Sequence, residues 1–217
     1  MQQECILCNS NSVSVLKPAG EGKKPGNRCF LHCGVCDLIF VPERFHLSPS
    51  DEKTRYRLHD NSLSNEGYVG MFKDKIALIK QYCPDVNSVL DYGCGPGPVL
   101  AQLLEREGFN CDIYDPHFFP AFPESRYDLV VSTEVFEHLR DINSEMRRIL
   151  ACLNPGGFLA VMTGFHDAVE SFEKWWYIAD PTHICFFSMQ TFGWIAEKFG
   201  FRIIYSNGKN FIIFILE

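Results

Sequence analysis

Three groups of residues in this 217-residue chain have types and spacings suited to chemistry. Cys5-Ile-Leu-Cys8 and Cys33-Gly-Val-Cys36 are two C-x-x-C steps separated by 24 residues. Each step presents two thiolates, and together they supply the four sulfurs of a tetrahedral structural zinc site, with Cys29 as a fifth candidate ligand. Disulfides are disfavoured in a reducing compartment, and a redox C-x-x-C needs no matching partner pair. The second group is Asp91-Tyr-Gly93-Cys-Gly95-Pro-Gly97, which follows the apolar step Ser88-Val89-Leu90. Glycines let the backbone turn sharply and approach a ligand closely, and a helix starting just beyond offers unpaired N–H groups and a positive dipole end. The third group is Glu134-x-x-Glu137-His138 together with Asp180-Pro-Thr182-His183, carboxylates and imidazoles able to accept protons.

These residues need elements to position them. Val99, Leu100, Leu103 and Leu104 recur at helical spacing behind Pro98 as a first-turn proline, with Gly108 at the C-terminal cap. Phe109 to Tyr114 reads as a strand ending at Asp115, and Tyr127 to Thr133 as another. A helical stripe follows at Ile142, Met146, Ile149, Leu150 and Leu153; Asn154-Pro155-Gly156-Gly157 breaks it before a strand from Phe158 to Thr163. Ser188 is the expected N-cap of a helix running to Gly200. Phe201 to Tyr205 and Phe211 to Leu216 flank Asn207-Gly208, a hairpin signal. Strand and helix alternate from residue 86 onward, which predicts an α/β fold.

The glycine run narrows the ligand. A dinucleotide fold needs G-x-G-x-x-G, and counting from Gly93 its third glycine would stand at position 98, which is Pro98. Acid-x-Gly-x-Gly-x-Gly at Asp91, Gly93, Gly95 and Gly97 instead resembles motif I of the class I S-adenosylmethionine-dependent methyltransferases. Glu134-Val-Phe-Glu137-His138-Leu, the Leu153-x-Pro-Gly-Gly step and the closing hairpin resemble later parts of the same family, so the likeness spans residues 86–217. The resemblance implies a Rossmann-like three-layer sheet with a C-terminal antiparallel hairpin. It implies S-adenosylmethionine held by Asp91, Gly93, Gly95 and Gly97, with Asp115 beside Pro116 on the ribose hydroxyls. Thr133, Glu134 and Tyr68 are expected near the cofactor. Only eleven residues, 116–126, separate Asp115 from the next strand, where the family places a helix and a third strand. A parallel crossover needs about a dozen or more, so the third strand is expected to be lost or vestigial. Phe118, Phe119 and Phe122 either stack on the adenine or cover the sheet edge.

The sulfonium methyl of such a cofactor is already activated, so the enzyme chiefly aligns a nucleophile, excludes water and takes up a proton. His183 is the first candidate base, followed by His138 and His166. Phe172 to His183, with Trp175, Trp176 and Tyr177, stands where the fold faces its substrate. It reads either as a pocket for a sugar, ring or base, with Tyr177 contributing, or as an apolar lid. Glu134-x-x-Glu137-His138 with His183 also resembles the metal-binding motif of small-RNA 3′-terminal 2′-O-methyltransferases and ubiquinone-pathway O-methyltransferases, which implies a metal-assisted alternative.

Composition bounds the rest. With 46% hydrophobic residues the chain can bury a full core. A net charge of −7 argues against broad attachment to nucleic acid. No apolar run is long enough to span a bilayer and the amino terminus lacks a signal-peptide pattern, so the expectation is a cytoplasmic enzyme. The expected organisation is a zinc-ribbon-like module over 1–42 with 18–27 as its loop, a linker and cofactor-capping helix over 43–82, and a methyltransferase domain over 83–217. In the middle segment Tyr56, His59 and Tyr68 either reach the methionine end of the cofactor or pack the helix on the sheet. The remaining cysteines read as core fillers. The expected reaction is methylation of a small-molecule or sugar-like acceptor. The alternatives are an RNA methyltransferase, similar to zinc-ribbon ribosomal-RNA enzymes, and a non-catalytic binding module.

Overall fold

The computed structural model describes residues 3–17, 28–58 and 62–217; the 18–27 loop and His59 lie outside the described residues. Strand β4 (Ser88–Tyr92) carries the acid of the glycine run, and α3 (Val99–Arg106) follows with Val99, Leu100, Leu103 and Leu104 buried on one face. Pro98 occupies the N-cap rather than the first turn. Gly108 ends the helix at φ +93° and releases the chain into β5 (Asn110–Tyr114). Next come β6 (Tyr127–Thr133), α4 (Ile142–Ala151), β7 (Leu153–Met162), and α5 (Met189–Phe199). The chain closes with β9 (Phe201–Ser206) and β10 (Phe211–Leu216). Helix α5 starts on a Ser188–Thr191 capping box and ends on Gly200 in the left-handed conformation, as its sequence predicts.

The main sheet has the order β5-β4-β6-β7-β10-β9, parallel through β7, with β10 antiparallel to both β7 and β9. No strand lies beyond β5 among the described residues. The short connection forms only an Asp115–Phe119 bridge, in keeping with the expected loss of the third strand. Side chains alternate across the sheet. Leu90, Val130, Leu159 and Val161 face the layer of α4 and α5, while Val89, Leu129, Val131 and Ala160 face α3 and the second helix, α2 (Glu66–Tyr82).

Two expected boundaries are corrected. Strand β7 begins at Leu153, because Leu153 pairs with Tyr127 and the Asn154–Gly157 step is absorbed as an irregularity before Leu129 meets Phe158. The linker expected at the start of 43–82 contains a helix of its own, α1 (Pro49–Tyr56), whose N-cap Ser48 accepts the Asp51 N–H.

A second sheet has the order β1-β2-β3-β8, with β1 (Val13–Lys17), β2 (Phe30–Cys33), β3 (Ile39–Phe40) and β8 (Cys185–Phe186). Its last strand comes from the far end of the chain. Phe30, Leu38 and Phe40 accordingly share one apolar cluster with Phe186, Phe187 and Phe192.

Candidate active site

A cavity of about 550 Å³ opens at the carboxyl ends of β4, β5 and β6, the end at which open parallel sheets receive ligands. Its inner wall is the glycine loop. Gly93 sits at φ +85°, and a Cβ there would fall 2.3 Å from the Val135 Cγ2, so only glycine fits. The Gly93 N–H donates to the Tyr114 carbonyl at 2.7 Å, and the Gly95 N–H to Asp115 Oδ2 at 3.0 Å. Asp115 Oδ1 accepts the N–H groups of His117 and Phe118 at 2.8 and 3.0 Å. One carboxylate thus ties the loop to the turn that replaces the third strand. Asp91 lies beneath, 2% exposed, with Oδ1 lacking any hydrogen-bond partner. Burial raises its pKa to about 7, so a ligand bringing a cation or donor would relieve an uncompensated carboxyl.

The opposite wall carries the imidazoles. His138 follows the short turn Phe136–His138, and its Nδ1 donates to the Thr182 carbonyl at 2.9 Å. His183 is 7% exposed, and its Nδ1 donates to the Tyr177 carbonyl at 2.9 Å. A carbonyl can only accept, so both neutral rings keep the Nε2 lone pair available. The rings lie 4.9 Å apart. Burial, and then the neighbouring His138, hold His183 neutral down to about 3; burial likewise lowers His138.

Behind the imidazoles lies a buried carboxyl chain. Glu137 is fully buried; its Oε1 accepts the Tyr177 hydroxyl at 2.6 Å and its Oε2 the Thr163 hydroxyl at 2.8 Å. Glu134 Oε2 stands 3.1 Å from the same phenol oxygen. Burial, then repulsion from Glu137, raises Glu134 well above its ordinary range, and burial raises Glu137. Glu134 holds the sparsely populated conformation φ +54°, kept there by its N–H on the Met162 carbonyl at 2.8 Å.

The family described as "Methyltransferase domain" matches residues 66–206, from α2 into β9. The chain belongs to this methyltransferase family. Solved structures share its fold. An O-methyltransferase family protein from Burkholderia thailandensis superposes with a TM-score of 0.55 at 16% identity, covering 76% of this chain and 62% of that one. This chain thus spans under two thirds of that protein. Streptomyces venezuelae DesVI gives 0.52 at 14% identity, covering 79% and 100%. The plantazolicin methyltransferase BpumL, solved with a pentazolic desmethylPZN analog and SAH, gives 0.50 at 14%, covering 78% and 92%.

Of the residues singled out from the sequence, the methyltransferase brings Asp91, Gly93, Gly95, Asp115, Pro116, Thr133, Glu134, Tyr68, His138 and His183 to the cavity wall. Gly97 and Tyr177 are not on that wall. Gly97 turns the chain into α3, its carbonyl accepting the Val99 N–H, and Tyr177 supports the carboxyls from behind. Trp175 stacks on Tyr177 at 4.7 Å, whereas Trp176 is 76% exposed. His166 binds the Asp37 carbonyl, away from the cavity. Phe118 lines the cavity, and Phe122 covers Tyr114 and Tyr92 at the sheet edge.

Of the outer wall, sequence reading weighed Tyr56 but missed Glu52, Arg55 and Arg140. Glu52 and Tyr56 of α1 line the cavity, Arg140 pairs with Glu52 at 2.6 Å, and Arg55 with Asp180 at 2.9 Å. Ser48-Pro49-Ser50-Asp51 was the available signal, an N-cap followed by proline and acid.

Two groups have the donors for metal. Cys5, Cys8, Cys33 and Cys36 place their sulfurs within 4.8 Å of one another, with Cys5–Cys36 and Cys8–Cys33 at 3.5 Å. A tetrahedral zinc with ~2.3 Å bonds needs sulfur pairs about 3.8 Å apart, so the four fit it. Glu137, His138 and His183 form a second set within the same span.

Proposed function

We propose that this enzyme methylates a hydroxyl of a small-molecule or sugar-like acceptor, with the proton received at Nε2 of His183 and His138 beside it. The observation that carries the reading is one cavity with a glycine cradle on one wall and, on the other, two imidazoles whose Nδ1 atoms are engaged and whose Nε2 lone pairs are left available. S-adenosylmethionine supplies an electrophilic methyl on sulfur. Asp91, Gly93 and Gly95 would hold it, since Asp91 Oδ1 lacks a partner and the cradle admits no Cβ at Gly93. Asp115 already accepts three backbone N–H groups, and its one remaining lone pair would take a ribose hydroxyl. Thr133, Glu134 and Tyr68 complete the cofactor wall. Tyr56 lies 5.2 Å from the His138 ring and, with Phe118, keeps water from the imidazoles. Tyr177 fixes the carboxyl chain and, through its carbonyl, the His183 tautomer.

On this reading residues 1–42 are a zinc-bound module held by Cys5, Cys8, Cys33 and Cys36, residues 43–82 cap the cavity, and residues 83–217 perform the transfer. A second, metal-assisted version of the same reaction has a specific observation behind it. Both imidazoles are anchored through Nδ1 on backbone carbonyls, the arrangement metal-ligating histidines adopt, and Glu137 stands beside them. A divalent ion held by Glu137, His138 and His183 would lower the pKa of an acceptor hydroxyl.

The test is methyl transfer from labelled S-adenosylmethionine across a panel of sugars, phenols and short RNAs, with and without chelator and Mn²⁺. Turnover of a hydroxyl compound that survives the chelator supports the base reading. Turnover restored only by Mn²⁺ favours the metal version, and preference for RNA would overturn the acceptor class.

A further inference from the structure

Arg28 is a buried cation that the transfer chemistry does not use. It is 6% exposed, and among the described residues its guanidinium donates four hydrogen bonds to carbonyls of one loop: Ile178 at 3.1 Å, Asp180 at 2.8 Å, Pro181 at 2.9 Å and His183 at 2.9 Å. A guanidinium presents five N–H donors in a rigid fork, so the loop is wrapped around a fixed template. The His183 side chain closes the same loop through Nδ1 on the Tyr177 carbonyl. Where Nε2 points therefore depends on the curvature that Arg28 imposes.

Arg28 is in turn placed by the cysteine module. It stands two residues before β2, which ends in Cys33, and its guanidinium lies 5.5 Å from the Phe30 ring centroid. Phe30 itself packs on Phe172 and Phe186 at 5.4 and 5.8 Å. Three residues after Cys36, β3 pairs with β8, which begins two residues after His183; the matched pairs are Ile39–Phe186 and Phe40–Cys185. The Val41 N–H donates to the Ile184 carbonyl at 2.8 Å, and the Ile184 N–H to the Glu137 carbonyl at 2.7 Å. The His183 segment is thus gripped from the amino-terminal module on one side and from the Glu137 turn on the other.

We propose that the four-cysteine module is the positioning scaffold of the acceptor half of the active site, with Arg28 the positioning residue that sets His183. The proposal rests on the reading of His183 as the group facing the acceptor. Metal held by Cys5, Cys8, Cys33 and Cys36 then governs methyl transfer without governing cofactor binding, since the cradle is built from β4, β5 and α3, which belong to the other sheet and its covering helix.

The experiment uses the full chain with its metal, the Arg28→Ala and Arg28→Lys variants, and wild type stripped by chelator. Calorimetry reads S-adenosylhomocysteine affinity, hydrogen exchange reads the amides of residues 176–187, and the transfer assay reads kcat. In the variants, exchange of 176–187 should accelerate at least about tenfold, because four buried carbonyls lose their donor. Affinity should stay within about threefold, and kcat should fall about a hundredfold or more. Added guanidinium should restore part of kcat in Arg28→Ala. Chelation should reproduce the exchange pattern in wild type. Wild-type exchange and kcat in both variants would overturn the proposal. So would a loss of protection that reaches the glycine loop, in the variants or on chelation, since that marks general unfolding. If wild type methylates nothing in the panel, the proposed function fails, while the exchange measurement still decides the scaffold.

Discussion

The two halves of the cavity are built in opposite ways. On the proposed reading, the glycine cradle of the cofactor half comes from one short stretch, Asp91 to Gly95, with Asp115 one strand later, and its bonds are backbone N–H groups on near neighbours in the sheet. The acceptor half is assembled from Arg28, α1, the Phe136–His138 turn and the 177–183 loop, residues up to 155 positions apart in the chain. A contiguous loop needs only its own glycines and the strand beside it. A composite wall needs every contributor docked, so it should tolerate change less well and move more readily.

The largest effect expected from breaking this division is on turnover. His183→Gln should lower kcat about 10²–10⁴-fold while leaving S-adenosylhomocysteine affinity within about threefold, measured by methyl transfer and calorimetry side by side. Gly93→Ala should do the reverse. Its Cβ would meet Val135 and its φ is positive, so cofactor affinity should weaken by about a hundredfold, roughly 3 kcal/mol, with the overall fold retained by circular dichroism.

Asp91 gives a pH test of the cofactor half. Burial raises its pKa from 3.8 to about 7 in the folded chain, so the folded state holds a proton that the unfolded state has lost. This group therefore makes stability decline as pH rises from about 4 to about 7, and Asp91→Asn should flatten that decline in the melting temperature. A cationic ligand prefers the ionised form. Cofactor affinity should then fall up to about tenfold per pH unit below 7, with proton release visible as a buffer-dependent binding heat. The smallest effect belongs to Thr163→Val. Removing one donor from buried Glu137 should cost about 1–3 kcal/mol of stability, read as a lower denaturation midpoint, with cofactor affinity unchanged.

The same contrast explains what could be read from the sequence. Gly93 and Gly95 were legible because their conformation is a local demand, and the strands at Ser88 and Tyr127 because burial on both faces leaves unbroken apolar runs. The lost third strand followed from a count of connecting residues. The start of β7 was misplaced because Pro155 and two glycines look like a break, yet the parallel neighbour β6 pulls Leu153 into register. Tyr177 read as part of a pocket or of an apolar lid because its neighbours are tryptophans, but its hydroxyl is drawn inward by two carboxyls. Arg28 carried no signal. Its partners are carbonyls about 150 residues away, and backbone acceptors leave no trace in residue types.

The central claim, that the Gly93–Gly97 turn receives the methyl-donor cofactor, is tested most directly by calorimetric titration with S-adenosylhomocysteine near pH 7. The account predicts one site per chain, about half a proton released on binding, and affinity weakened about a hundredfold in Gly93→Ala with no loss in His183→Gln. Absence of binding by the wild-type chain, or binding that Gly93→Ala leaves intact, would contradict it.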